Sequence, residues 1–247
     1  MRLFHQRQEL QVLATFNNEY LYVNVDTTSV EGLHHAKALG LAESQMADVV
    51  YTEYIYDASS ILFSEHHRGR LFTLLRHPVD RSVSMYYYLR SATWESTYDH
   101  TLQTYTLEDY AHKAQTEHNW MTRMLSNAGD GQLFPKHLDI AKQVLKNKAL
   151  IGLLEEFDES IERFEQYFGW DELLLQSAAG EIDSPILKKH AECQARLISD
   201  KVNGHNHPPL DPKSDIWVEL HRRNWFDMEL YNFAVELFKN QSKWFDF

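Results

Sequence analysis

Cysteine is nearly absent, with Cys193 alone among 247 residues. That excludes an internal disulfide and any metal site built from cysteines only. Basic charge is also short: 24 Lys and Arg stand against 36 Asp and Glu, a formal net charge of -12. A sequence-independent grip on nucleic acid or anionic lipid needs basic surface, so the balance argues against both, and any anion site must be local. No apolar run approaches the roughly twenty residues that span a bilayer. The opening MRLFHQRQELQVLATF also lacks the continuous apolar core of a signal peptide. No Gly-x-x-x-x-Gly-Lys-Ser/Thr occurs, which disfavours a kinase-like phosphotransferase.

What the chain does hold is a strand-helix alternation long enough for a full core. Residues 1–247 read as one α/β domain with parallel strands joined by right-handed crossovers. The spacing of Leu3, Leu10, Leu13 and Phe16 predicts an amphipathic helix over 1–16, followed by a strand over 19–25 (EYLYVNV). A helix over 30–41 then has Thr27, Thr28 or Ser29 as its cap and ends near Gly40. Residues 48–56 (DVVYTEYIY) predict a second strand, 58–63 a short helix and 66–70 a polar turn. Further on come a loop over 91–106, a helix over 106–125 signalled by Thr106, Glu108 and Asp109, and a helix opened by Pro135. ALIGLL at 149–154 predicts a buried strand, and Glu155 and Glu156 lead from it into a helix ending at Gly169. A helix over 182–198, a proline-rich loop over 201–213 and one long final helix capped by Ser214 and Asp215 complete the pattern.

The stretch over 71–89, LFTLLRHPVDRSVSMYYYL, is where chemistry is expected. Its first five residues predict a strand, and Pro78, with its fixed φ and missing N–H, suits the first turn of a helix. Val79, Val83, Tyr86 and Tyr87 give that helix an apolar face. Arg76 therefore brings a guanidinium fork to a helix N-terminus, a place suited to a phosphate.

The Arg-x-Pro segment with a Ser eight positions after the Arg resembles the nucleotide-binding motif of carbohydrate sulfotransferases, in particular the uronyl or heparan sulfate 2-O-sulfotransferase branch. EYLYVNVDTTS, ALIGLLEEFDESIERFEQYFG and SDIW…NWFDMELYNFAVELF follow in that family's order. The resemblance implies a P-loop-like parallel sheet flanked by helices. It also implies transfer of a sulfuryl group from 3′-phosphoadenosine 5′-phosphosulfate to a carbohydrate hydroxyl, in the Golgi. It assigns the 3′-phosphate to Arg76 and Ser84. The family's motif usually carries Asp where this chain has His77, which removes a negative charge beside the phosphate.

No Lys-Thr-x-Ser-Thr loop for the 5′-phosphosulfate is present. The resemblance places the first strand and that loop before residue 1, with any membrane anchor further upstream. It thus implies weak or absent transfer by this chain, the alternative being a catalytically inactive nucleotide- or glycan-binding remnant of the same family. The acceptor hydroxyl needs a general base, and Glu53 is the carboxylate in the stretch where the family places one. Arg81 is expected to form a structural ion pair. His205 and His207 form no complete ligand set, so no metal is assigned. Buried hydrogen bonding between helices is one account of Asn119, Arg123, Asn224, Asp227 and Tyr231; their place in family-like blocks is another.

Overall fold

A fully buried asparagine, Asn24, organises the start of the chain. In the computed structural model residues 9–14, 21–93, 98, 100–113, 117–170 and 209–245 are described. They fall into two compact units, one of Met1–Arg70 with Met121–Ala141, the other of Leu71–Trp120 with Lys142–Phe247. The helix expected over 182–198, Cys193, His205 and His207 lie outside the described residues.

In the first unit, strand β1 (Val12–Ala14) pairs antiparallel with β2 (Leu21–Val23), so this pair is not the parallel one expected. The Asn24 side chain donates to the Glu9 carbonyl at 3.0 Å and accepts the Gln11 N–H at 2.7 Å. A buried amide must find such partners, and these tie residues 9–11 to the end of β2. The described part of 1–16 is therefore strand and loop, not helix, and the three-residue spacing of Leu10 and Leu13 was misleading. Helix α1 (Val30–Ala38) starts as expected on Ser29, whose hydroxyl accepts the Gly32 N–H at 3.1 Å. With α2 (Leu41–Ser44) and α3 (Ile55–Ile61) it encloses Leu33, Ala36, Leu41, Ala58 and Leu62. No strand forms over 48–56. The Tyr51 carbonyl accepts from the Thr27 hydroxyl at 2.6 Å, and the Tyr54 N–H donates to Thr52 Oγ1 at 3.0 Å. Local side chains thus take the backbone groups a ladder would need.

The second unit is built on β3 (Leu71–Leu75) and β4 (Ala149–Leu153), a parallel pair with Leu71 opposite Ala149 and Leu75 opposite Leu153. Helix α4 (Pro78–Leu89) follows β3 with proline in its first turn and buries Val79, Val83 and Tyr86. Helix α5 (Leu107–His112) begins on Thr106 and Asp109, each side chain bonded to the other's backbone N–H. The Thr106 hydroxyl and N–H hold the Asp109 carboxyl below its usual range. The chain then runs through α6 (Trp120–Ser126) and α7 (Pro135–Lys148) to β4. A 3-10 turn (Leu154–Glu156) leads to α8 (Phe157–Phe168), closed by Gly169 at φ 69°. Helices α9 (Asp215–Arg223), capped by Ser214, and α10 (Trp225–Gln241) follow, with a 3-10 turn at Ser242–Trp244 after them.

Two helices expected to be continuous are each broken, and one residue is common to both breaks. Asn119, at φ 52° and buried, separates α5 from α6. Its Oδ1 accepts the Phe226 and Asp227 N–H groups at 2.9 and 3.2 Å, and its Nδ2 donates to the Arg223 carbonyl at 2.8 Å. It therefore caps α10 and closes α9 with the same side chain. Asn224, at the α9-α10 break, accepts the Asn119 N–H at 2.9 Å. Arg223 donates to the carbonyls of Ala111 and Lys113 at the end of α5. For Asn119 and Asn224, interhelical hydrogen bonding is thus what the structure shows.

Every residue of β4 is buried, whereas β3 buries only Leu75 and leaves Leu74 exposed. The free edge of β4 is matched by a side chain: Gln241 accepts the Ile151 N–H and donates to the Ala149 carbonyl, both at 2.9 Å. Gln241 is also the middle residue of the sequon Asn240-Gln241-Ser242. Among the described residues no helix is long and apolar enough to cross a membrane. The whole is a helix-rich arrangement with a small parallel sheet, compatible with the α/β class.

Two substitutions test this account. A Cβ at Gly152 would lie 2.6 Å from Phe164 Cζ and 3.0 Å from Leu74 Cδ1. Gly152→Ala should therefore cost about 1–3 kcal/mol through overpacking, read by urea unfolding. Asn119→Ala orphans buried N–H groups and replaces asparagine, which tolerates a left-handed φ, with alanine, which does so less well, for an expected loss of about 3 kcal/mol or more. A change under about 0.5 kcal/mol in either, the range of ordinary surface substitutions, contradicts the packing described.

Candidate anion site at the strand ends

The register of β3 and β4 decides which residues meet at the carboxyl end of the sheet. After Leu75 come Arg76 and His77; after its partner Leu153 come Leu154 and Glu155. In open α/β sheets the carboxyl ends of parallel strands are where ligands bind. The N-cap residue of α4, His77, offers no side-chain cap. Its N–H instead donates to Glu155 Oε1 at 2.8 Å, across 78 positions of sequence. The second oxygen of that carboxylate, Oε2, accepts from the Tyr231 hydroxyl at 2.8 Å. Burial, then the Glu155 carboxylate, push the Tyr231 phenol well above its usual range.

The His77 ring lies edge-on to Tyr231, centroids 5.5 Å apart, and stacks on Trp217 at 6.4 Å. Its Nδ1 is buried without a hydrogen bond, 3.8 Å from Asp80 Oδ2. That separation allows charge attraction but exceeds hydrogen-bond reach. Trp217 stacks in turn on His221 at 4.9 Å. Trp217 thus stacks between two imidazoles while Tyr231 meets His77 by its edge, and this row props the turn.

Two arginines flank the turn and differ in use. Arg81 pairs with Glu117 and lies 4.4 Å from the Trp120 ring centroid, the structural ion pair expected of it. Arg76 is half-buried, and among the described residues it makes no hydrogen bond or ion pair. The serines divide the same way. Ser82 is buried, donates to the Pro78 carbonyl at 3.0 Å and accepts from Asn224 Nδ2 at 3.1 Å. Ser84 is half-buried and has no hydrogen-bond partner among the described residues. Seven residues make two helical turns, so Ser84 shares the helix face of His77. Arg76 at the strand end and Ser84 in the second turn of α4 are thus a cation and a hydroxyl without partners among the described residues, and both are group types that can hold an anion with several oxygens.

Glu53 is exposed, sits on a bend of the first unit and is not in a strand. Arg76 and Ser84 belong to the second unit. Among the described residues no group of three or more His, Cys, Asp or Glu is placed to hold a metal ion. Glu155 was legible in sequence only as an acidic turn. Aligning LFTLL with ALIGL as register partners would have set Glu155 beside His77, because each strand is followed two residues later by one of the pair.

The model of the Sulfotransferase family matches residues 43–234 of this chain, a span that contains β3, α4, β4 and the Glu155 bridge. Neither the curated proteins nor the solved structures gave a match. With 43–234 amounting to most of the 247 residues, the chain belongs to the sulfotransferase family.

Proposed function

We propose that this protein moves a sulfuryl group from 3′-phosphoadenosine 5′-phosphosulfate to a hydroxyl of a carbohydrate, and that Arg76 and Ser84 hold the 3′-phosphate of the donor. The observation that carries the reading is Arg76, half-buried at the carboxyl end of β3 with no partner among the described residues. A guanidinium in that position suits a bidentate, charge-assisted grip on phosphate. In the reaction the acceptor oxygen forms a bond to sulfur as the sulfur-oxygen bond to the 5′-phosphate breaks. The acceptor proton goes to a general base, for which Glu53 is the proposed group. The leaving group is 3′,5′-diphosphoadenosine. A Golgi address fits this reaction, and the acidic chain favours a sugar of low charge over a polyanion.

A second reading, nucleotide binding without transfer, is favoured by one feature: the sequence holds no Lys-Thr-x-Ser-Thr segment to stabilise charge on the 5′-phosphate. Calorimetry with 3′,5′-diphosphoadenosine, beside radiolabelled sulfate transfer to a panel of sugars, separates the two. The expected result is nucleotide binding that falls on the order of 100-fold in Arg76→Ala and about tenfold in Ser84→Ala. Binding of ATP with no response to the sulfated nucleotide would sink the proposal. Binding without transfer supports the second reading. Within the enzymatic reading, transfer unchanged in Glu53→Gln removes the role given to that residue.

A further inference from the structure

Glu155 touches neither of the groups assigned to the phosphate, yet it is bonded to the peptide between them. We infer that Glu155, held by Tyr231, is a positioning residue that aims Arg76 into the anion site. The inference rests on the reading above for the identity of the anion, and on the geometry alone for the rest.

The His77 N–H belongs to the same rigid plane as the Arg76 carbonyl, because the peptide unit between them is flat. Fixing that N–H at 2.8 Å from Glu155 Oε1 therefore fixes the peptide from which Arg76 springs. The next peptide gives no help, since Pro78 has no N–H, and His77 provides no cap of its own. Nor is Glu155 a counter-ion in disguise. Its two oxygens accept from the His77 N–H and the Tyr231 hydroxyl, and Glu155 forms no ion pair with Arg76. A carboxylate placed to neutralise Arg76 would turn towards the guanidinium; this one faces the backbone and leaves the guanidinium for a ligand. Its negative charge opposes phosphate binding nearby, so its contribution must come from orientation.

That opposition makes the inference testable. Glu155→Gln and Glu155→Ala remove the same charge, but only glutamine can still accept the His77 N–H while donating to the Tyr231 oxygen. In the isotope-labelled full chain, the His77 amide resonance is expected downfield and slow to exchange in wild type and Glu155→Gln. It should move upfield and exchange at least about tenfold faster in Glu155→Ala, as a lost hydrogen bond requires. Affinity for 3′,5′-diphosphoadenosine and for inorganic phosphate, measured separately by calorimetry, should be about tenfold weaker in Glu155→Ala than in Glu155→Gln. Tyr231→Phe, which frees one carboxylate oxygen but keeps the charge, should bind both ligands more weakly than wild type.

Equal affinities in the alanine and glutamine variants overturn the inference, as does an unmoved His77 amide. Should Glu155→Ala fail to fold, Tyr231→Phe decides, and wild-type affinity in that variant overturns it. Wild-type protein that binds inorganic phosphate but not the nucleotide defeats the proposed donor, while the alanine-to-glutamine ratio for phosphate still decides the role of Glu155. Binding of neither ligand defeats both.

Discussion

The parallel ladder between Leu71–Leu75 and Ala149–Leu153 is the constraint on which the candidate site depends. Because Leu75 faces Leu153, the residues that leave the two strands emerge side by side, and Arg76-His77 meets Leu154-Glu155. A slip of one strand by one residue would turn that strand's side chains to the opposite face and part His77 from Glu155. The register is held from several directions. Gln241 fills the outer edge of β4 with amide bonds that copy a strand, and Ser160 Oγ takes the Leu153 N–H at 2.9 Å. Phe164 packs where Gly152 leaves room. A two-stranded sheet is marginal by itself; here helices supply the missing neighbours.

Charge explains why so local a site is needed. With a net charge of -12, the surface as a whole repels anions, so a phosphate can be held only where a cation is kept from its neighbours' carboxylates. Around the turn, Arg81 is spent on Glu117, and Asp80 lies near His77. Glu155 is turned to the backbone and to Tyr231. Among the described residues, Arg76 has no such partner. The His77 imidazole gives Trp217 and Tyr231 a ring to pack against.

What could be read from sequence was whatever depends on near neighbours. Strand β3 and the start of α4 were legible because five apolar-rich residues and a proline settle them locally. So were the Thr106 and Ser214 caps and the stop at Gly169. Arg76 and Ser84 were singled out by motif, and the structure leaves both without partners among the described residues. The errors have a common cause. Asn24, Asn119 and Asn224 each direct an amide at backbone or side chains 13 to 142 positions away, and each changes the local structure. Periodicity cannot report such bonds, because an asparagine in a helical pattern looks the same whether its amide meets water or caps a distant helix. The absent strand over 48–56 fails similarly, with Thr27 taking a carbonyl 24 positions away.

The cap of α4 is the extreme case of that principle. Most helices satisfy their first N–H groups with a side chain close in sequence, so the helix start forms when the helix does. Here the acceptor comes from Glu155, on the turn after β4, and the carboxylate is steadied by a hydroxyl on α10. The start of α4 therefore acquires its final shape only when β3, β4 and α10 have come together. A flexible Arg76 side chain must give up rotational freedom to grip a phosphate, and part of that entropy is lost in advance if the peptide beneath it is already fixed. Capping from a distance thus joins the completion of the fold to the shape of the turn that carries Arg76.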